Sequence, residues 1–163
     1  MDQEAFVSLI KKYQSVINKV CYCYFSSQEN RKDARQEIIL QLWKSYPSFQ
    51  RKSKVSTWIY RVALNTVLNL VRKNRDIPLK ESSEHSISLI SEAAFNDDVE
   101  YLKHLINCLK EVDKGIVLLY LEGYSNKEIS QILSLSETNV SSRLCRVRQH
   151  LRKLHNTKYY EIK

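Results

Sequence analysis

The sequence contains very little glycine or proline, with only two of each among its 163 residues. These two residue types form most tight turns and interrupt regular elements, so their low counts favour long helices over many short strands. No segment shows the strict alternation of apolar and polar residues that marks a half-buried strand. The composition therefore predicts an all-α fold.

Membrane and export signals are also lacking. No apolar run reaches the roughly 20 residues that a membrane-spanning helix needs. The first residues, Met1 to Glu4, are acidic, whereas a signal peptide begins with basic residues. The four cysteines lie within helical patterns rather than in loops, which favours free thiols in a reducing compartment over a disulfide framework. We therefore expect a cytoplasmic protein without membrane insertion.

Catalytic chemistry has little support in the residue pattern. The sequence has no glycine-rich phosphate loop and no nucleophile elbow. His104 and Cys108 lie four residues apart and could share a helix face as metal ligands, but no second pair at ligand spacing follows. We therefore expect no enzymatic activity, no metal ion and no cofactor.

Basic residues are in excess and unevenly distributed. The chain has 26 lysines and arginines against 18 aspartates and glutamates, for a formal net charge of +8. Residues 51–80 hold eight basic and one acidic residue, whereas residues 81–100 hold six acidic residues and no basic ones. A basic balance suits a polyanionic partner such as nucleic acid. The plainer alternative is that the excess lysines only maintain solubility.

The acidic stretch divides the chain into two helical parts. It begins near Pro78 with several serines, and helical periodicity is lost there. We interpret residues 76–96 as a linker between two small helical domains, at residues 1–75 and 97–163.

Helices are predicted in both domains from apolar residues at three- and four-residue steps. In the first domain these stretches run from residue 6 to 24, from 38 to 43 and from 58 to 71. Asp33 is the expected N-cap of the second helix, which should end before Pro47. In the second domain, Asp113 is the expected N-cap of a helix that runs to Leu121.

The second domain ends in two capped helices joined by a short turn. Gly123 can take the left-handed conformation that ends a helix. Ser125 and Glu128 form a capping-box pattern, and Ser136 is the expected N-cap of the last helix. Two closely linked helices, the second one basic, are typical of a helix-turn-helix, whose second helix enters the major groove. Duplex DNA is therefore an expected partner.

The last helix has one apolar face. Val140, Leu144, Val147 and Leu151 recur at helical spacing and should point inward. The polar residues left for the outer face or its edges could contact bases and phosphates: Glu137, Thr138, Asn139, Ser141, Ser142, Arg143 and Arg146. The alternative is a solvated face on a plain helical bundle.

Aromatic and basic residues are interleaved between residues 49 and 75. This mixture suits single-stranded or melted nucleic acid, whose bases stack on aromatic rings. Trp58 taken alone is more typical of a core residue on an amphipathic helix. Polar residues at helical spacing are expected to form an outer surface for DNA: Arg61, Asn65, Asn69 and Arg72.

Three blocks of the sequence resemble, in this order, bacterial sigma factors. Asp33–Trp43 resembles their polymerase-binding segment, and Val55–Thr66 resembles the adjoining helix that reads the −10 promoter element. The helix-turn-helix at Glu122–Leu144 is similar to their domain that reads the −35 element. The order, spacing and short linker resemble those of the small two-domain sigma factors of the extracytoplasmic-function group. The resemblance implies a promoter-specificity subunit that binds core RNA polymerase and helps to start transcription.

Three sets of site residues follow from this resemblance and the helical faces. The face expected to meet the clamp helices of the polymerase β′ subunit comprises Asp33, Gln36, Glu37 and Gln41. Residues expected at the −10 element are Lys52, Lys54, Thr57, Trp58, Arg61, Asn65 and Arg72. Residues expected at the −35 element are Ser125, Ser136, Thr138, Asn139, Ser142, Arg143 and Arg146.

Two other hypotheses stay open at this level. A helix-turn-helix regulator could bind a palindrome as a dimer without polymerase, but the polymerase-binding and −10 blocks argue against it. An enzyme acting on nucleic acid would need paired carboxylates near the basic stretch, where Asp76 is the one acidic residue. The resemblance further implies an anti-sigma factor as a partner, because that group is usually held inactive by one.

Overall fold

The computed structural model describes residues 3–49, 53–76 and 97–161. Every regular element within these ranges is helical, which confirms the predicted all-α fold. None of the described helices is long and apolar enough to cross a membrane. The α-helices are α1 (Gln3–Lys12), α2 (Gln14–Tyr24), α3 (Gln28–Ser45), α4 (Val55–Asp76), α5 (Asp97–Asn107), α6 (Glu111–Leu121), α7 (Asn126–Leu133) and α8 (Glu137–Glu161). A short 3₁₀ turn, Tyr46–Ser48, follows α3.

The first predicted helix is in fact two helices. Tyr13 leaves the helical conformation, with φ −106° and ψ 17°, and separates α1 from α2. This break allows Phe6 of α1 to pack edge-on against Trp43 of α3, with 4.8 Å between the ring centroids. The apolar spacing continues through the break, which is why periodicity alone predicted a single helix.

Two predicted N-caps are wrong. α3 begins earlier than expected, and its cap is Ser27, whose Oγ accepts a hydrogen bond from the Asn30 backbone N–H at 3.1 Å. Asp33 therefore lies inside α3. Lys110 occupies the N-cap position of α6, and Asp113 lies in its first turn. An acidic side chain is favoured in the first helical turn as well as at the cap, so an aspartate alone does not distinguish the two positions.

The helix-turn-helix is confirmed. Gly123 has a φ of +84° after α6, as a glycine that ends a helix should. The turn between α7 and α8 is formed by Ser134, which is left-handed, with a φ of 55°. The backbone N–H of Leu135 donates to the carbonyl of Ser130 at 2.9 Å and closes this turn.

A continuous apolar core joins the first helical domain (α1–α4) to the second (α5–α8). α2 packs on α6, and α4 packs on α7. Fully buried residues of both domains belong to one cluster: Ile17, Val20, Leu64 and Val67 from the first, and Ile116, Leu119, Ile129 and Ile132 from the second. The domains are thus in direct contact. Of the linker predicted at residues 76–96, only Asp76 lies within the described ranges.

Candidate nucleic-acid interface

α4 has a buried face and a polar outer face. Ile59, Ala63 and Val67 are fully buried in the core. The side chains predicted to form an outer surface are all exposed and lie along one side of the helix: Arg61, Asn65, Asn69 and Arg72. The helical period that directs the apolar residues inward therefore creates this polar surface.

The aromatic rings near the start of α4 are not part of that surface. Trp58 is 9% exposed and stacks on Phe49 with 4.7 Å between the ring centroids. Tyr60 is 1% exposed. α4 turns both rings toward the apolar core, and contact of Trp58 with a −10 base stays a prediction.

The remaining residues predicted at the −10 element lie around the N-terminus of α4. Lys54 is exposed immediately before the helix, and Thr57 is half-buried in its first turn. Lys52 lies outside the described residues. Basic and hydroxyl groups at a helix N-terminus are suited to contacts with phosphate, because the first backbone N–H groups also point outward there.

The outer face of α4 borders a cleft between the two domains. Asn65, Asn69 and Arg72 line one side of this cleft, which has a volume of about 280 Å³. The opposite side comes from the second domain and consists of Val112, Leu133 and Leu135. Pockets for drug-sized molecules have roughly 300–1,000 Å³, so this cleft has room for a small molecule at most.

A capping box fixes the start of α7. The Oγ of Ser125 accepts from the Glu128 backbone N–H at 3.3 Å, and the Ser125 backbone N–H donates to Glu128 Oε2 at 2.9 Å. The Ser125 hydroxyl also donates to the same carboxylate oxygen at 2.8 Å. These hydrogen bonds lower the pKa of Glu128, and the positive charge of Lys54 on the first domain adds a smaller contribution.

α8 is oriented by a cap and an apolar stripe. Ser136 Oγ accepts from the Asn139 backbone N–H at 3.1 Å, which confirms the predicted cap. Val140, Leu144 and Val147 are buried, and Leu151 is half-buried, as the apolar spacing predicted. The side chains of Thr138, Ser142 and Arg146 point outward and are exposed. Together they form a short polar surface on the first turns of this basic helix.

Arg143 lies at the edge of this surface and is held there. Its Nη1 donates to Asp113 Oδ1 at 2.9 Å, and its Nε donates to Asn139 Oδ1 at 2.9 Å. The arginine side chain retains 27% exposure and that of Asp113 only 16%. Asp113, which the sequence suggested as a cap, instead joins α6 to α8. The Arg146 side chain is held less firmly than that of Arg143. Its Nε donates a long hydrogen bond of 3.4 Å to the Ser142 carbonyl.

α3 carries the face predicted to meet polymerase. Asp33 and Gln36 are exposed, whereas Glu37 and Gln41 are half-buried and joined by a 2.7 Å hydrogen bond from Gln41 Nε2 to Glu37 Oε1. Leu40 lies among them and is 44% exposed. Leu40 is not among the residues predicted from the sequence for this face, although its spacing from Gln36 and Glu37 places it there.

His104 and Cys108 do share a face at the end of α5. The Cys108 sulfur lies 4.0 Å from His104 Nε2, and both side chains are exposed. Within residues 3–49, 53–76 and 97–161, no third histidine, cysteine, aspartate or glutamate lies close enough to complete a metal site with this pair. No other group of three such residues occurs within these ranges. This pair therefore offers a metal ion only two protein ligands.

Two family models match the chain on either side of the predicted linker. Residues 3–77 match the model for region 2 of sigma-70, and residues 100–151 match the model for region 4. The first match contains α1–α4 and the second contains the helix-turn-helix.

Curated relatives of similar length span both parts. The chain is 28% identical to the ECF RNA polymerase sigma factor SigW of Bacillus subtilis, over 93% of this chain and 89% of the relative. It is 29% identical to the ECF RNA polymerase sigma-E factor of Escherichia coli K12, over 91% and 85%. The similarity therefore extends over nearly the whole chain.

Solved structures with the same fold come from complexes. The sigma factor RpoE of Bartonella quintana, solved with the anti-sigma factor NepR, aligns with a TM-score of 0.74 at 17% identity, over 94% of this chain and 98% of that one. CnrH, solved with the cytosolic domain of CnrY, aligns with a TM-score of 0.67 at 18% identity, over 96% and 90%. At sequence identities of 17% and 18%, these alignments show a shared fold.

Proposed function

The chain belongs to the sigma-70 family, as a two-domain sigma factor of the extracytoplasmic-function type, and we propose which of its residues contact core polymerase, the −10 element and the −35 element. Such a protein binds core RNA polymerase and directs it to promoter DNA. The observation that carries the residue assignment is the presence of two exposed polar helix faces, one on each domain, on α4 and at the start of α8.

The start of α8 is our proposed −35 reader. Thr138, Ser142 and Arg146 would meet base edges in the major groove, where an arginine can bond a guanine with two hydrogen bonds. Asn139 and Arg143, which are bonded to each other, would contact DNA from the edge of this surface. Ser125 and Ser136 would bring the N-termini of α7 and α8 to the phosphate backbone.

The outer face of α4 is our proposed −10 surface. Arg61, Asn65 and Arg72 would line the path of the separated strand, and Lys52, Lys54 and Thr57 would hold its phosphates. Capture of an unpaired base offsets part of the unstacking free energy of a few kcal/mol. Trp58, which stacks on Phe49 beneath this surface, stays in our proposed −10 set.

α3 is our proposed contact with the clamp helices of the polymerase β′ subunit. Asp33, Gln36, Glu37 and Gln41 supply its polar groups. Leu40 adds an exposed apolar side chain at the centre, as protein–protein interfaces often have.

In this assignment residues 1–75 bind polymerase and the −10 element, residues 76–96 are the linker, and residues 97–163 bind the −35 element. We further propose that the protein catalyses no reaction itself and acts in the cytoplasm, where its thiols stay free.

An anti-sigma factor is the second partner that we propose. One of the two solved complexes pairs a sigma factor of this fold with the anti-sigma factor NepR, and the other pairs CnrH with the cytosolic domain of CnrY. Leu102, Tyr120 and Leu121 of the second domain are large apolar side chains that are about half exposed, and a partner could cover them. Affinity purification from the native bacterium under inactive growth conditions should recover a one-to-one complex that competes with core polymerase. Recovery of polymerase subunits alone would contradict this partner.

Transcription in vitro with purified core enzyme tests the main assignment. Core enzyme plus this protein should initiate at promoters taken from the native genome, and neither component should do so alone. Asn65→Ala and Arg146→Ala should each reduce initiation, while Arg152→Ala, which removes an exposed arginine elsewhere on α8, should not. Sequence-specific footprints by the protein alone, as a dimer on a palindrome, would instead support a helix-turn-helix regulator.

A further inference from the structure

Asn139 lies at the edge of the proposed −35 surface, and its amide oxygen is bonded within the protein. The Arg143 Nε donates to Asn139 Oδ1 at 2.9 Å. A guanidinium group has donors only, so the oxygen of the amide must face Arg143 and the amide nitrogen must face away from it. The Nδ2 donors of Asn139 are therefore the part of this side chain that is directed toward a base.

Asp113 of α6 holds the arginine that orients this amide. Arg143 Nη1 donates to Asp113 Oδ1 at 2.9 Å, and the two side chains are mostly shielded from water. A shielded ion pair restricts its partners more than an exposed pair does, because water screens it less. Arg143 thus donates to a carboxylate on one side and to an amide on the other, and its remaining N–H groups are also donors.

The bonded pair of Asn139 and Arg143 presents donors to a base. A free asparagine typically reads adenine with two hydrogen bonds, because its oxygen accepts from the N6 amino group and its nitrogen donates to N7. At Asn139 the adenine amino group would approach an oxygen that already accepts from a cation, so its hydrogens would meet positive charge. Guanine instead offers two acceptors, O6 and N7. Glu137, the acidic residue in the first turn of α8, lies two positions before Asn139, and residues two apart do not face each other.

We propose that Asp113 is a positioning residue for promoter recognition: through Arg143 it holds Asn139 so that the pair prefers guanine over adenine at one base pair of the −35 element. This inference rests on the proposed role of α8 as the −35 reader. Asp113 acts from α6 through the arginine and does not itself read the base. A role of this kind changes the ratio of the affinities for two bases, whereas a purely structural role changes the affinity for all sequences equally.

The test measures base preference with the full chain bound to core polymerase. The DNA is a promoter that the wild type transcribes, in a library in which each −35 position carries all four bases in turn. Sequencing of the bound and unbound DNA gives the relative affinity for each base. The wild type is compared with Asp113→Ala, with Asn139→Asp and with the control Glu111→Ala, which removes another carboxylate from the first turn of α6.

At one −35 position the wild type should prefer guanine over adenine by about tenfold. Asp113→Ala frees Arg143 and Asn139 to reorient, so the preference at that position should fall to about twofold or less. Glu111→Ala should retain the wild-type ratio. Asn139→Asp replaces the amide donors by acceptors, so it should also lower the guanine preference at the same position. Circular dichroism checks folding, and Asp113→Asn, which keeps the size of the side chain, replaces Asp113→Ala if that variant does not fold.

An unchanged ratio of guanine to adenine in the folded Asp113 variant or in Asn139→Asp would overturn the proposal. An equal fall in the ratio with Glu111→Ala would overturn it too, because the charge of α6 and not the hydrogen bonds to Asp113 would then set the preference. A loss of affinity that is the same for all four bases would show that Asp113 is only structural. A wild-type complex without base preference at any −35 position would instead reject the proposed role of α8.

Discussion

The two surfaces that we propose to contact DNA differ in how accessible they are. At the start of α8, Thr138, Ser142 and Arg146 project outward from a capped helix. On α4, Asn65 and Arg72 are exposed too, but they border a cleft whose other wall is the second domain. The proposed −35 surface thus lies away from the junction of the two domains, whereas the proposed −10 surface borders it. Tight promoter binding should require polymerase, because it would hold the two domains at a fixed spacing so that both contacts add.

The largest effect is expected from a substitution in the apolar core that joins the two domains. Leu64 is fully buried on α4 and approaches α6. We expect Leu64→Ala to lower the free energy of unfolding by about 2–5 kcal/mol. Both domains should unfold in one shifted transition, measured in urea by tryptophan fluorescence for the first domain and by hydrogen exchange of α7 for the second.

Leu40→Ala is the matched control for that experiment. Leu40 is 44% exposed, so its truncation should change stability by less than about 0.5 kcal/mol. If Leu64→Ala shifts only the fluorescence transition, the two domains do not share a core in solution.

Substitution of its two arginines tests the proposed −35 surface. Arg146→Ala should weaken promoter binding by the polymerase complex by about 1–3 kcal/mol and relax the preference at one −35 position, if the side chain reads a base. A phosphate contact would instead weaken all sequences equally. Gel shifts on promoters with single −35 substitutions distinguish the two.

Arg143 should behave differently, because it is bonded within the protein. Arg143→Ala and Asp113→Ala remove the two ends of one ion pair. They should therefore lower the stability of the second domain by similar amounts, in addition to any effect on DNA. Unchanged transcription from every promoter tested with both Arg146→Ala and Arg143→Ala would show that α8 is not the recognition helix.

A smaller effect is expected from the cap that places α7. Ser125→Ala removes the acceptor for the Glu128 backbone N–H and should cost about 1 kcal/mol of folding stability. Urea unfolding measures this, and Ser8→Ala, an exposed serine within α1, is the control. An equal loss in the control would mean that the cap does not contribute.

The same cap predicts a pH dependence. The pKa of Glu128 is lowered in the folded protein by its hydrogen bonds with Ser125, from an ordinary value of 4.5. The stabilisation is therefore fully present above pH 4.5 and is lost as the pH falls through the lower, folded-state pKa. The difference in unfolding free energy between the wild type and Glu128→Gln should shrink over that acidic range. A difference that stays constant to lower pH would contradict the role of the carboxylate.

The smallest effect is expected from the ion pair between Lys19 of α2 and Glu122, which follows α6. The Lys19 side chain is 49% exposed, so Lys19→Ala should change stability by no more than about 1 kcal/mol, and less at high salt. Lys11→Ala, an exposed lysine on α1, is the control. A loss well above this size would show that the packing of α2 on α6 depends more on this ion pair than on the apolar core.

Local signals in the sequence predicted the helix-turn-helix well. Ser125, Glu128 and Ser136 bond backbone groups only three residues away, so their spacing alone fixes the caps. Likewise, the exposure of Asn65 and the burial of Val140 follow from the helical period. These features depend on residues that lie close together in the sequence, so the sequence alone was enough to predict them.

Features that depend on distant residues were missed or misplaced. The resemblance placed Trp58 at DNA, and the burial of its ring depends on packing partners from other parts of the chain. Asp113 was expected to cap a helix, but its partner lies thirty residues away. The packing of the two domains was not foreseen at all. Gly115 of α6 was a signal for it, because a glycine inside a helix often has a packing reason, and here a Cβ would lie 2.9 Å from the Tyr24 hydroxyl oxygen of the first domain.

The turn between α7 and α8 has a consequence for the stiffness of the −35 reader. Ser134 is held in the left-handed conformation, which costs a non-glycine residue about 1–2 kcal/mol. A glycine there would relieve that strain, but it would also widen the range of backbone angles that the turn can sample. The serine thus exchanges some stability for a narrower distribution of angles between the two helices. A recognition helix that enters the groove at one angle loses less orientational entropy when it binds.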